Sequence, residues 1–470
     1  MSVREAEAST GVAVLAAARL PEAEVSAWIG REPQVVGGFA EDCERYGHFW
    51  LLSEQLIARL PKKQARTEKE AQAAEMVRTR ARGARARFLA AHSEAVYAAL
   101  TEEFSRFVRL EALVLLAAER FPGLVPSRNQ LAAEAGTFQR DKDGLEIDQG
   151  IFLSAMFAHE RAGLHLCHAM LLPRAESLER LETFVARGVA DFGAARLERR
   201  DRAVLLETAN PRFLNAEDET TLHAMEIAVD LAILDPLSEI AVMRGGRVQH
   251  AKYRGRHLFG SGINLTHLYQ GRIPFVWYLQ RDLGFVHKLL RGVARPEALP
   301  DDVHGEGIEK PWIAVVDGFA IGGHCQILLA VDYVLAADNA YLSLPARKEG
   351  IIPGFANLRL PRFTGERLAR QLIQYERRLD CAGPEGRLLC DEIVPAAEMD
   401  AAITRIVTGL TSSGAVSAVG NRRAFRVGAE PLDLFRRYCA AYAREQAECH
   451  FSPALIANLE RYWGAQNRQG

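Results

Sequence analysis

Two glycine-bracketed turns carry the residues of this chain best placed to do chemistry. One is Phe259-Gly260-Ser261-Gly262-Ile263-Asn264-Leu265, and the other is Gly318-Phe319-Ala320-Ile321-Gly322-Gly323-His324-Cys325-Gln326. The second follows an apolar strand-like run, Trp312 to Asp317, and leads into Ile327-Leu328-Leu329-Ala330, which can open a helix. A strand, a glycine turn and a helix start leave backbone N–H groups unpaired and directed at an anion. Two such turns brought together make an oxyanion hole, where fixed donors stabilise charge developing on a carbonyl oxygen. Glycine permits the close approach and the unusual backbone angles this needs.

The elements that must position these turns show as changes of texture along the chain. From about residue 22 to 200 the sequence is rich in Ala, Leu, Glu and Arg and poor in Gly, which predicts a helical domain over 1–200. Leu110, Leu113, Val114, Ala117 and Ala118 form a helical stripe, and Pro122 to Ser127 is a break. The charged run from Arg66 to Arg87 reads as a solvated helix face. It lacks the interleaved aromatics of a nucleic-acid groove.

Strand-like and helical runs then alternate over 201–395. Ala203–Thr208, Ile240–Met243, Trp312–Val316 and Tyr333–Ala336 read as strands. Glu219–Leu234 reads as a helix with Glu217, Asp218 and Glu219 at its positive end and Asp235-Pro236 as its stop. Pro274–Arg291 reads as an amphipathic helix between strands. This alternation predicts an α/β core. From 396 to 470 the chain is again helical, through Leu432–Gln446 and Pro453–Trp463.

Composition narrows the partners. The 470 residues are 49% hydrophobic and 25% charged, with a net charge of −2, so no strong pull toward nucleic acid or membrane is expected. No apolar run approaches the roughly 18 residues of a membrane span, and residues 1–10 do not read as a signal peptide. Seven scattered cysteines without a CxxC pair predict reduced thiols and a cytoplasmic setting. No metal site is expected. The densest histidine group, His159, His165 and His168 beside Glu160, is not H-E-x-x-H, because Gly163 stands where the second histidine belongs. No P-loop is present, and Gly260-Ser261-Gly262 lacks the third glycine of a dinucleotide fingerprint, so no nicotinamide or flavin is expected.

The two turns, in order, resemble the signature of the crotonase (enoyl-CoA hydratase/isomerase) superfamily. Pro345, Gly350, Ile351, Ile352, Pro353 and Gly354 resemble that family's P-E-x-x-x-G-x-x-P-G element, and Asn210-Pro211 with Leu214-Asn215-Ala216 its N-x-P…N-A opening. The resemblance spans about residues 200 to 420. It implies a crotonase-like (ββα) superhelix core carrying an N-terminal all-α domain and C-terminal helices. It also implies that the N–H groups of Ile263 and Gly323 hold the thioester oxygen of an acyl-CoA. Basic Lys252, Arg254, Arg256 and His257, before the first turn, would suit the CoA phosphates.

Two departures matter. A hydratase needs two carboxylates, one to activate water and one to give a proton. Those positions are here Gln326 and Ala346. The long helical extension together with Gln326 resembles a cofactor-independent dioxygenase branch of the superfamily, from antibiotic biosynthesis. That branch takes 3,5-dihydroxyphenylacetyl-CoA and O₂ to 3,5-dihydroxyphenylglyoxylate and CoA without metal or organic cofactor. The resemblance implies that Arg281 lies near the substrate and that Ile351 lines an apolar O₂ cavity. It further implies that Gln326 bonds near the thioester or bound oxygen and that Glu217 meets a ring hydroxyl. A homo-oligomer, trimer or hexamer, is also implied. A non-oxidative acyl-CoA isomerase or thioester hydrolase, and a non-catalytic CoA-ester-binding protein, are the alternative expectations.

Overall fold

A computed structural model describes residues 11–300, 307–412, 414 and 416–468. The chain divides into two compact units, Met1–Leu166 with Cys439–Phe451, and Cys167–Tyr438 with Ser452–Gly470. The change of texture near residue 200 therefore lies inside the second unit, because helix Ala175–Arg187 and the first strand pair precede it. None of the seven cysteines is in a disulfide.

The first unit is helical. Helix Glu68–Leu100 opens on a capping box, in which Thr67 Oγ1 accepts from the Glu70 N–H and the Glu70 carboxylate accepts from the Thr67 N–H. Its Phe88 ring meets Tyr46 and Trp50 of helix Phe39–Ala58 at 5.3 and 5.4 Å. The run from Arg66 to Arg87 departs from the expected solvated face. Arg66 and Arg78 converge on Asp143 at 2.6 and 2.8 Å, and buried Arg85 donates to the Gly123 and Leu124 carbonyls. These partners lie 38 to 77 residues away in sequence, so local pattern held no sign of them. His165 Nε2 donates to the Phe104 carbonyl at 3.1 Å, and its Nδ1 lies 2.9 Å from the Tyr97 hydroxyl.

Among the described residues the second unit contains ten strands, β1 (Val189–Asp191), β2 (Ala195–Arg200), β3 (Ala203–Thr208), β4 (Ile240–Gly245), β5 (Trp312–Val316), β6 (Phe319–Ile321), β7 (Tyr333–Ala337), β8 (Tyr341–Ser343), β9 (Leu379–Asp380) and β10 (Glu392–Val394). Seven form one sheet in the order β1-β2-β3-β4-β5-β7-β10, and three form a second in the order β6-β8-β9. β1, β2 and β3 pair antiparallel, and β3 through β10 of the large sheet pair parallel. All five residues of β5 are buried, as a parallel strand covered on both faces requires.

The chain coils in repeats of strand, strand and helix. β5 enters the large sheet, β6 the small one, and helix Gly323–Leu328 follows; β7, β8 and helix Ala346–Glu349 repeat the pattern. β3, β4 and β5 run parallel, so their carboxyl ends lie on one side. The segments leaving those ends carry Glu217, Ile263 and Gly323. Parallel α/β sheets bind ligands at this end of their strands.

Candidate active site

The two glycine turns touch, main chain against main chain. Gly260 and Ala320 form a parallel bridge, with the Ile321 N–H donating to the Gly260 carbonyl at 3.0 Å. Gly262 has φ +81°, and a methyl group on it would lie 2.9 Å from the Ile321 carbonyl oxygen and 3.2 Å from the Gly323 nitrogen. Only glycine serves at this crossing.

The other side of the first turn is fixed by Glu217. Its N–H donates to the Gly262 carbonyl, and its carbonyl accepts from the Asn264 N–H, both at 2.8 Å. This parallel bridge of Glu217 with Ile263 leaves the Ile263 N–H on the opposite side. Gly323 is the first residue of its helix, so its N–H has no intrahelical acceptor. Among the described residues nothing accepts from either amide. Two free donors thus sit on adjoining turns, one at the positive end of a short helix.

Arg281 ties Glu217, Gln326 and the second turn together. Its Nε donates to Glu217 Oε1 at 2.8 Å, Nη1 to Asp282 Oδ1 at 2.7 Å and to Gln326 Oε1 at 2.9 Å, and Nη2 to the Gly323 carbonyl at 2.7 Å. Arg281 is 3% exposed, and its two carboxylate partners hold its guanidinium firmly protonated against the cost of burial. Removing one member of so buried a charge cluster costs roughly 3–5 kcal/mol, because the others are left uncompensated. Arg281 sits where the helix predicted over Pro274–Arg291 gives way to a π-helical turn, Asp282–Val286.

Two polar ends in this cluster stay open. Glu217 Oε2 is buried and has no hydrogen-bond donor, and a methyl group on Gly323 would lie 2.3 Å from it. Gln326 accepts from Arg281 through Oε1, while its Nε2 donates to no described residue. Glu217 and Asp218 do not act as the N-terminal charges of the following helix, which begins only at Leu222. Asp218 Oδ2 instead accepts from Asn210 and Asn264, each at 3.0 Å.

His324, the residue in place of a third glycine, lies against the first turn. Its Nδ1 accepts from the Gly262 N–H at 3.1 Å, which places the ring proton of the neutral form on Nε2. Burial pushes its pKa down to about 4; the Glu217 carboxylate opposes this and Arg281 adds to it. The ring is therefore a neutral acceptor throughout the physiological range.

Beside the turns opens a cavity of about 690 Å³, mostly apolar, with Ile263 and Ile321 in its wall. Phe213 and Tyr253 line it, as do Tyr462 and Trp463 of the C-terminal segment. Arg212, Lys348 and Arg468 are its cationic lining residues. Of the segment before the first turn, His250 and Tyr253 line the cavity, whereas Lys252, Arg254, Arg256 and His257 are not among its lining residues and Lys252 and Arg256 stack on the Tyr253 ring. Ile351 is half-buried beside the helix carrying Ala346, its N–H donating to the Ala346 carbonyl.

One residue cluster with metal-ligating atoms emerges among the described residues, Asp218, Glu219 and His267. It was not legible from spacing, since 48 residues separate Glu219 from His267. Arg272 donates to His267 Nε2, which leaves Nδ1–H to donate to Glu219. The set is closed by its own hydrogen bonds. His168 reaches the Arg295 carbonyl at 3.1 Å.

The family model for enoyl-CoA hydratase/isomerase matches residues 302–438. The (3,5-dihydroxyphenyl)acetyl-CoA 1,2-dioxygenase of Amycolatopsis orientalis is 48% identical over 395 residues, covering 84% of this chain and 89% of that protein. The crotonyl-CoA hydratase of Syntrophomonas wolfei is 30% identical over 223 residues, covering 46% of this chain and 75% of that protein. The crystal structure of an enoyl-CoA hydratase/isomerase from Xanthobacter autotrophicus superimposes with a TM-score of 0.48 at 21% identity, covering 59% of this chain and 96% of that one. The chain belongs to the crotonase superfamily, in the family of the Amycolatopsis dioxygenase.

Proposed function

We propose that this chain is a dioxygenase acting on (3,5-dihydroxyphenyl)acetyl-CoA, converting it with O₂ to the arylglyoxylate and free CoA. The observation that carries the reading is the pair of free amides on adjoining turns, Ile263 and Gly323, in a site whose two hydratase positions are Gln326 and Ala346. Similarity to the Amycolatopsis enzyme over most of both chains supports it.

An arylacetyl thioester has an acidic α-proton. Donors fixed on its carbonyl oxygen favour the enolate, because they require no reorganisation as charge develops. The carbanion form, delocalised into the ring, gives an electron to O₂ directly, so no protein redox group or organic cofactor is required. The products balance the reactants: one oxygen atom of O₂ ends as the ketone and the other on the carboxyl carbon, where it replaces the thiolate. Carboxylic acids at 326 and 346 would offer protons to the enolate. An amide and a methyl group do not.

The remaining residues take roles that match their surroundings. Glu217 Oε2, buried without a donor, accepts from a ring hydroxyl, and that bond removes the cost of an unsatisfied buried oxygen. The free Nε2 of Gln326 donates toward the thioester or bound oxygen. Arg281 holds both side chains and the Gly323 carbonyl in register. Ile351 narrows the apolar space for O₂. The cations at the cavity, Lys348 and Arg468, suit CoA phosphates.

The reading includes a homo-oligomer, trimer or hexamer, and a cytoplasmic setting. Val416 and Val427, 89% and 63% exposed, lie eleven residues apart and so on one face of a single helix, an apolar strip suited to cover by another subunit. No helix among the described residues is long and apolar enough to cross a membrane. The test of function is oxygen uptake by chelator-treated protein given the thioester. One O₂ consumed per CoA thiol released supports it, and thiol release without oxygen uptake selects a thioester hydrolase.

A further inference from the structure

We propose that Glu349 is the catalytic base that takes the first α-proton from the bound thioester. This deepens the reading above and rests on it, since the substrate is taken to occupy the cavity beside Ile263.

Four observations meet at this residue. Glu349 is the one acidic side chain among the described residues lining the cavity whose wall also holds Ile263. It lies three residues beyond Ala346 on the same short helix, Ala346–Glu349, one turn from the position where a hydratase carries its acid. Its carboxylate has no hydrogen-bond donor and no ion-pair partner among the described residues, in contrast to Glu217 and Asp282, which share the Arg281 guanidinium. Burial, with the Glu376 carboxylate nearby, raises its pKa to about 7, so the ionised form is present at neutral pH and basic enough to accept a proton there.

The neighbouring charges are engaged elsewhere. Arg347 and Lys348 pair with Glu376 at 3.0 and 3.6 Å, and the Lys348 ammonium lies over the Tyr462 ring. Asn458 donates to the Arg347 carbonyl. Arg212, His250 and Arg468 also line the cavity. None of these is within ion-pair distance of Glu349.

In the step, the Cα–H bond breaks and its proton passes to a Glu349 carboxylate oxygen. The bonding pair enters the thioester as the enolate, whose oxygen lies between the Ile263 and Gly323 amides. O₂ then takes electrons from that enolate. The half-buried acid returns its proton to water.

The step is separable from oxidation, so it is measured without oxygen. Purified protein and (3,5-dihydroxyphenyl)acetyl-CoA are mixed anaerobically in D₂O, and loss of the α-CH₂ signal is followed by proton NMR. Wild-type exchange should rise with pH through about 7, where Glu349 ionises, and then level. Glu349→Gln should slow exchange at pH 8 by about 100-fold or more, with thioester affinity kept within about threefold. Glu349→Asp should retain the pH limb at a reduced rate, and formate should restore part of the exchange to Glu349→Ala; a structural role would produce neither. Exchange by Glu349→Gln within threefold of wild type, the same pH limb in that variant, or no wild-type exchange overturns the assignment. Wild-type exchange without oxygen uptake on later aeration would instead overturn the dioxygenase reading and leave the base in place.

Discussion

The Gly262 N–H donates to His324 Nδ1 across 3.1 Å, so a side chain in the second glycine turn holds the main chain of the first. The bond requires a neutral imidazole. The ring's folded-state pKa of about 4 lies below the ordinary 6.5, so between these values the unfolded chain binds more protons than the folded one. Stability is therefore lost as pH falls through that window, by up to about 3 kcal/mol from this residue, at about 1.4 kcal/mol per unit. His324→Asn, which can still accept but does not titrate, should flatten the dependence of urea midpoint on pH between 4 and 6.5. His287 and His168 are depressed by burial too and add to the residual slope, which the raised Glu349 carboxylate opposes. An unchanged slope would show that His324 is not protonated on unfolding in this way.

Gly323→Ala tests the hole itself. The added methyl group would lie 2.3 Å from Glu217 Oε2 and 3.0 Å from Arg281 Nη2, so the turn must shift. Loss of one aligned donor costs about 10²–10³ in kcat. Turnover should fall by that amount while CoA binds within a few-fold of wild type, measured by calorimetry. Near-normal kcat would remove the Gly323 amide from the mechanism.

Glu217→Gln replaces an oxygen that has no donor by an amide whose NH₂ cannot accept a ring hydroxyl. The KM for (3,5-dihydroxyphenyl)acetyl-CoA should rise about tenfold, the loss of one hydrogen bond of about 1.5 kcal/mol. That for phenylacetyl-CoA should change far less. Equal effects on both thioesters would mean that Glu217 only supports Arg281.

Ile351→Phe adds bulk on the half-buried side chain proposed to border the oxygen space. Oxygen uptake should slow by about 10-fold or more, against a loss of under about threefold in thioester affinity, because apolar overpacking acts locally. Parallel loss of oxidation and binding would assign Ile351 to packing alone.

The elements legible in the sequence are those whose local pattern has a single physical cause. β3 occupies Ala203–Thr208 and β5 Trp312–Val316, as the apolar residues 203–206 and 312–316 required. The two turns were readable because closely spaced glycines have few other uses before a helix. Side-chain direction was not readable. The unpartnered Glu217 oxygen exists only because Arg281, 64 residues on, takes the other one. Nothing in the local sequence sets Glu349 apart, and only the fold brings it to the cavity lining. The return of Cys439–Phe451 to the first unit depends on contacts that no spacing encodes.

The central claim is most directly measured by isotope. Chelator-treated protein is given (3,5-dihydroxyphenyl)acetyl-CoA under ¹⁸O₂, and the glyoxylate is analysed by mass spectrometry. Incorporation of two labelled atoms, one in the ketone and one in the carboxylate, with a rate unchanged by added metal, is the predicted result. A glyoxylate without label, or turnover that appears only when metal is restored, contradicts it.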